Sequence, residues 1–111
     1  MSLDCIFCKI IKKEVSAEIL QESPDIVIFR DIRPSAPVHY LAVPKKHISS
    51  IKEISRDDEA LLGHLIHLAK DAAEELNLAG YKLIFNVGKD GGQIIDHIHL
   101  HILGGWNQVN K

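Results

Sequence analysis

The chain has 111 residues, a formal net charge of −2 from 13 basic and 15 acidic side chains, and seven histidines. That length suits a single domain spanning 1–111 with a modest core. The slight acidity argues against a general nucleic-acid binder. All apolar runs are short and none reads as a signal peptide or membrane span, so a cytoplasmic location and no membrane partner are expected.

The first element is a short amphipathic helix in "IFCKIIKKE", with Ile6, Phe7, Ile10 and Ile11 at helical spacing. It contains the second cysteine of "CIFC", whose Cys5 and Cys8 suggest a metal half-site or a redox pair more than a structural disulfide. "AEILQES" and "IVIFRDI" read as a β-hairpin about the turn Ser23-Pro24-Asp25. "RPSAP" interrupts regular structure, and "VHYLAVP" is a third strand closed by Pro44. Ser55 and Asp58 form a capping-box pattern that starts a long helix. Its stripe is Leu61, Leu65, Leu68, Ala72 and Leu76, and Gly80 is its expected end. His64 and His67 lie beside that stripe as surface or dimer-contact residues. "YKLIFNV", the turn "GKDGG" and "IIDHIHLHIL" supply strands four and five. The expected fold is α+β: a five-stranded antiparallel sheet with one long and one short helix, covered on one face.

The last strand poses the chemical question. Alternation puts His97, His99 and His101 on one face, with Ile98, Leu100 and Ile102 on the other. Three solvated polar residues are the plainest reading, but a half-apolar strand preceded by a glycine loop asks for more. A zinc hydrolase site is a second reading. At a rise of about 3.3 Å per residue, the outer two histidines are about 13 Å apart, so all three are not expected on one ion. Covalent catalysis at phosphorus is the third. A neutral imidazole, with an ordinary pKa of about 6.5, is nucleophilic at pH 7. The backbone N–H groups of "NVGKDGGQ" can approach phosphoryl oxygens closely.

"GGQIIDHIHLHILGG" resembles the signature of the histidine triad family, in which histidines alternate with apolar residues. "FRDIRPSAPVHYLAVPKKHI" and "IFCKIIKKE" are similar to the middle and opening of its Hint branch, the histidine triad nucleotide-binding proteins, bacterial type. The matches run in family order from Cys5 to Gly105. The resemblance implies a hydrolase of purine nucleoside phosphoramidates, like an adenosine 5′-monophosphoramidase. It would act through a nucleotidyl-histidine and release AMP, GMP or another nucleoside monophosphate, with no organic cofactor.

Residue by residue, the resemblance makes His99 the nucleophile and His101 the phosphate contact that assists the leaving amine. His39 would orient the nucleophile through a hydrogen bond, and His97 completes the catalytic set. Asp31 would accept from the ribose hydroxyls. Phe7, Phe29 and Ile32 would wall the base, with Asn86 and Gly92 near ribose and phosphate. Phe29 and Ile32 also fit plain core positions, and Asp31 a turn. One position departs from the branch: Ile94 stands where Ser or Thr usually follows "GQ" and helps bind phosphate.

Some bacterial-type relatives hold a structural zinc with a ligand set that corresponds here to Cys5, Cys8, His47 and His97, a sound tetrahedral combination. A redox pair and plain buried thiols are the other readings of the cysteines. The family also implies a homodimer that joins two sheets, with Trp106 in the region approaching the partner; "NQVNK" carries no specificity signal. The alternatives are a dinucleoside polyphosphate hydrolase and a zinc-bearing nucleotide-binding module with little catalysis, the latter favoured by Ile94.

Overall fold

The structure is a computed structural model that describes residues 5–106. The strands are β1 (Ile19–Glu22), β2 (Ile26–Arg30), β3 (Val38–Pro44), β4 (Tyr81–Ile84) and β5 (Leu100–Gly104). They form one antiparallel sheet in the order β1-β2-β3-β5-β4. The helices are α1 (Ile6–Ile11) and α2 (Glu59–Glu75). The expected five-stranded antiparallel sheet and its long and short helices are therefore the observed ones. The tail 107–111 lies outside the described residues.

The sheet is covered on both faces, not on one as its turns and single long helix suggest. Helix α2 packs Leu65, Ala69, Ala72 and Ala73 against Ile26, Ile28, Ala42, Leu100 and Ile102. On the opposite face, Phe7 and Ile10 of α1 meet Val27, Phe29, Leu41 and Val43. This explains why β2 reads as a continuous apolar run: both of its faces are buried. The short helix thus builds a second core, and the candidate site opens beside it.

The capping box of Ser55 and Asp58 is present, with the Ser55 N–H donating to Asp58 Oδ2 at 2.9 Å. It heads a 3-10 turn at Arg56–Asp58 that runs into α2. The helix ends before Gly80. Asn77 takes φ 60°, the Asn77 N–H donates to Glu74 O, and the Leu78 N–H donates to Ala73 O at 2.9 Å. This is a left-handed Schellman closure with Asn in the position usually held by Gly. Asn tolerates that conformation, so the helix stops at Asn77 and does not reach Gly80.

Strand β5 is shorter than its alternating sequence, because its ladder on β3 begins only at Leu100, opposite Ala42. Before that point, the Ile98 N–H donates instead to Ile48 O at 2.8 Å. The register keeps alternation across the change: Ile98, Leu100 and Ile102 enter the α2 core. At the far end, Gly105 has φ +90°, and a Cβ there would lie 2.9 Å from Val38 Cγ2. Gly105→Ala should destabilise the fold by roughly 2 kcal/mol, combining a strained backbone with overpacking. A denaturant midpoint lowered at unchanged slope would register it; an unchanged midpoint would show that this end of β5 adapts freely.

Candidate active site and metal cluster

A cavity of about 490 Å³ opens on the α1 side of the sheet. It is lined by Phe7, Phe29, Asp31, Ile32, His39, Asn86, Gly92, Ile94, His99 and His101, among others. That volume is in the range of a small-molecule site. Every residue expected at the nucleotide lies on this lining. His97 does not. Its ring is fully buried and turns away, so the catalytic role expected of its side chain is not available in this arrangement.

The ring tautomers follow from donors and acceptors that cannot change. The His97 carbonyl can only accept, and it lies 2.7 Å from His99 Nδ1. His99 therefore carries its proton on Nδ1 and a lone pair on Nε2. This corrects one expectation: His39 does not orient His99; the His97 carbonyl does. His39 serves His101 instead. The Ser35 backbone N–H donates to His39 Nδ1 at 3.0 Å, so His39 Nε2 bears the proton and donates to His101 Nδ1 at 2.9 Å. His101 must then hold its own proton on Nε2. Asn86 Nδ2 lies 3.3 Å from that nitrogen, and turning the amide over lets its oxygen accept from Nε2–H.

Electrostatics agree with neutral rings. Burial lowers the pKa of His99 and of His39, in both cases against the pull of Asp31. Burial, helped by the neighbouring imidazoles, pushes His101 down to about 4. Asp31 Oδ2 lies 3.4 Å from His39 Nε2, and Asp31 Oδ1 accepts from the Arg33 N–H at 2.8 Å. Asp31, His39 and His101 also converge closely enough for a metal. The Ser35 N–H opposes that use, since it keeps a proton on the His39 nitrogen that would have to bind.

Behind this site, Cys5, Cys8, His47 and His97 bring their ligand atoms within 4.8 Å of one another. Cys5 Sγ and Cys8 Sγ lie 3.4 and 3.6 Å from His97 Nδ1, and Cys8 Sγ lies 3.4 Å from His47 Nδ1. The two imidazole Nδ1 atoms are 3.0 Å apart. His97 Nε2 donates to the Pro44 carbonyl at 2.8 Å, which leaves the Nδ1 lone pair facing the sulfurs. Burial pushes this ring's pKa down to about 4, so the ring is neutral at pH 7. The cluster can hold a metal ion.

Sequence reasoning missed two parts of this site. One is the Ser35 N–H, a backbone group that no side-chain pattern announces. The other is Gln93, buried within the glycine loop. Its Oε1 accepts from the Gly88 N–H at 2.9 Å, and its Nε2 donates to Ser49 O at 2.6 Å and Ile95 O at 2.9 Å. A long amide in a run of glycines was the available signal. His64 pairs with Asp25 at 2.9 Å and exposed His67 faces Asp71, away from the cavity. Trp106 is partly exposed, with Lys82 Nζ 5.3 Å from its ring centroid.

An antiparallel five-stranded sheet, one long helix behind it, and alternating imidazoles at a cavity in front define the histidine triad class. The chain belongs to that family. Residues 4–110 match the family model described as scavenger mRNA decapping enzyme C-term binding. The chain is 45% identical over 106 residues to an uncharacterized HIT-like protein of Synechococcus elongatus, covering 95% of this chain and 93% of that protein. It is 48% identical to a HIT family hydrolase from Legionella pneumophila, with TM-score 0.90 and coverage of 92% and 93%. A histidine triad nucleotide-binding protein from Candida albicans is 34% identical, with TM-score 0.81, covering 89% of this chain and 73% of its own. Among the described residues, no helix is long and apolar enough to cross a membrane.

Proposed function

We propose that this protein is a nucleotide hydrolase that cleaves the P–N bond of purine nucleoside phosphoramidates. The observation that carries the reading is the His99 ring at the cavity, held at Nδ1 by a carbonyl so that Nε2 keeps its lone pair. The similarity to solved HIT family hydrolases supports the hydrolytic class.

In the proposed reaction, His99 Nε2 attacks the α-phosphorus and the P–N bond breaks. The nitrogen takes its electron pair and a proton from His101 Nε2. A bound phosphate anion favours the doubly protonated form of His101, offsetting the burial that depresses its pKa; His39 then accepts from His101 Nδ1 and carries its own proton on Nδ1, beside Ser35 Oγ at 3.4 Å. Water then attacks the nucleotidyl-histidine, returning His99 and a proton and releasing the nucleoside monophosphate. Phe7 and Phe29, with ring centroids 5.6 Å apart in a T-shaped pair, would wall the base, and Asp31 would take the ribose hydroxyls.

The cysteine–histidine cluster is read as a structural zinc site. Bonds of about 2.3 Å to sulfur and 2.0–2.1 Å to nitrogen set tetrahedral edges of about 3.6 Å and about 3.3 Å. The S–N separations of 3.4–3.6 Å and the N–N separation of 3.0 Å fit within a few tenths of an ångström. Zinc there would fix the loop bearing His97 and, through its carbonyl, steady His99. The reading includes a cytoplasmic homodimer with the sheet continued across two copies; exposed Ile66 and Leu83 are apolar material for such a contact.

The test is release of AMP from adenosine 5′-phosphoramidate, with a nucleotidyl adduct trapped on the peptide containing His99. Faster cleavage of diadenosine polyphosphate would favour the alternative hydrolase. Binding of AMP with neither reaction would identify a nucleotide-binding module. Ile94→Ser bears on the departure from the branch: one added neutral hydrogen bond is worth about 0.5–1.5 kcal/mol. It should raise kcat/KM on this unsubstituted phosphoramidate by a few-fold to about tenfold. A fall in kcat/KM with the fold intact would show that the position does not face the phosphate.

A further inference from the structure

Ile94 is 91% exposed, yet it lines the cavity that holds His99 and His101. Scattered exposed apolar side chains are ordinary and need no function. The mounting of this one is different. The buried Gln93 beside it ties three backbone groups together, on Gly88, Ser49 and Ile95. Gly88 and Gly92 hold the flanking backbone at φ +74° and +89°, conformations in which other residues would be strained. A rigid turn therefore presents a branched aliphatic side chain to solvent at the mouth of a site.

The turn that carries it lies on the His101 side of the cavity. A Cβ on Gly92 would lie 3.9 Å from Asn86 Cγ, and Asn86 lies 3.3 Å from His101 Nε2. Gly92, two residues before Ile94, thus lies beside Asn86, the immediate neighbour of the nitrogen that carries the transferable proton. Ile32 also reaches the cavity and is 90% exposed, but it follows Asp31, on the side read as the nucleoside's. Ile94 offers neither charge nor hydrogen bond to a polar amine. It does offer surface that an aliphatic group would remove from water.

We propose that Ile94 forms an apolar subsite for the leaving group, so that the substrates are nucleoside phosphoramidates whose amine carries an aliphatic body. This rests on the P–N hydrolase reading above. Specificity then comes from the half of the substrate that departs. The exposed isoleucine is covered by the amine's alkyl chain while His101 protonates its nitrogen.

The experiment uses a series of adenosine 5′-phosphoramidates in which the amine is ammonia, methylamine, propylamine or pentylamine. Alkylamines have nearly equal basicity, so the trend among them reports burial and not bond strength. In the wild-type protein, kcat/KM should rise about twofold to fourfold per methylene over the first three carbons. Ile94→Ser should flatten that trend while hydrolysing the ammonia compound, and Ile94→Val should keep most of it. A flat trend in the wild type, or a trend that survives in Ile94→Ser, overturns the subsite alone. Failure to cleave any member of the series overturns the P–N reading together with it.

Discussion

His99→Ala is expected to lower turnover by at least about 10³-fold while leaving nucleoside monophosphate binding within a few-fold of wild type. The asymmetry follows from what the ring supplies. Its Nε2 lone pair forms the covalent bond, and no other imidazole at the cavity can replace it. His39 Nδ1 is occupied by the Ser35 N–H, and His101 Nδ1 by the His39 proton. Of the walls that would hold the nucleotide, Phe7 packs on His99, but it keeps its contacts with Phe29 and the second core when that ring is removed. His101→Ala should behave differently, losing about 10²–10⁴-fold on amine leaving groups and far less on leaving groups that need no proton. Single-turnover kinetics and equilibrium binding separate the two variants. A His99→Ala protein that turned over at near wild-type rate would overturn the covalent mechanism.

Much of this site was legible because alternation is a strong constraint. Once Ile98, Leu100 and Ile102 are committed to the α2 core, His99 and His101 have only the other face available. The cysteines were readable as a metal half-site or a redox pair, and the structure brings them within reach of His47 and His97. The proton wiring was not legible. It depends on which carbonyl and which N–H happen to face each ring, and the Ser35 N–H arrives from an irregular proline-bounded loop whose path no period encodes. For the same reason the partner of His39 came out differently: diagonal placement across the β3–β5 register, with His39 opposite Leu103 and His101 opposite Leu41, brings these two rings together. The helix end shows the competing effect. Gly80 was the stronger stop signal, but Asn77 came earlier in the chain and could adopt the same conformation.

Removing the metal should be felt in stability first and in substrate affinity second. Protein purified without chelator is expected to carry about one zinc per chain. Cys8→Ser removes the sulfur that touches both His47 and His97, and Cys5→Ser removes the other. Either change should lower zinc content. A loss of roughly 3 kcal/mol would lower Tm by roughly 13 °C in a domain of this size. The consequence for the site runs through Phe7. That ring lies between the two cysteines in sequence, packs edge-on to His99 at 5.0 Å and to His97 at 5.9 Å, and lines the cavity. Helix α1 has only six residues and no side-chain cap, so it has little to hold it apart from the second core and the cysteine anchors. Loosening it should raise KM more than it lowers kcat, because a displaced wall weakens binding before it disables the nucleophile. Elemental analysis, melting curves and steady-state kinetics on the Cys8→Ser protein test this together. Full zinc occupancy in that variant would place the metal elsewhere. Metal-free wild type with an unchanged Tm would identify Cys5 and Cys8 as packing thiols, and the wall would then owe its position to Phe7, Ile10 and Phe29 alone.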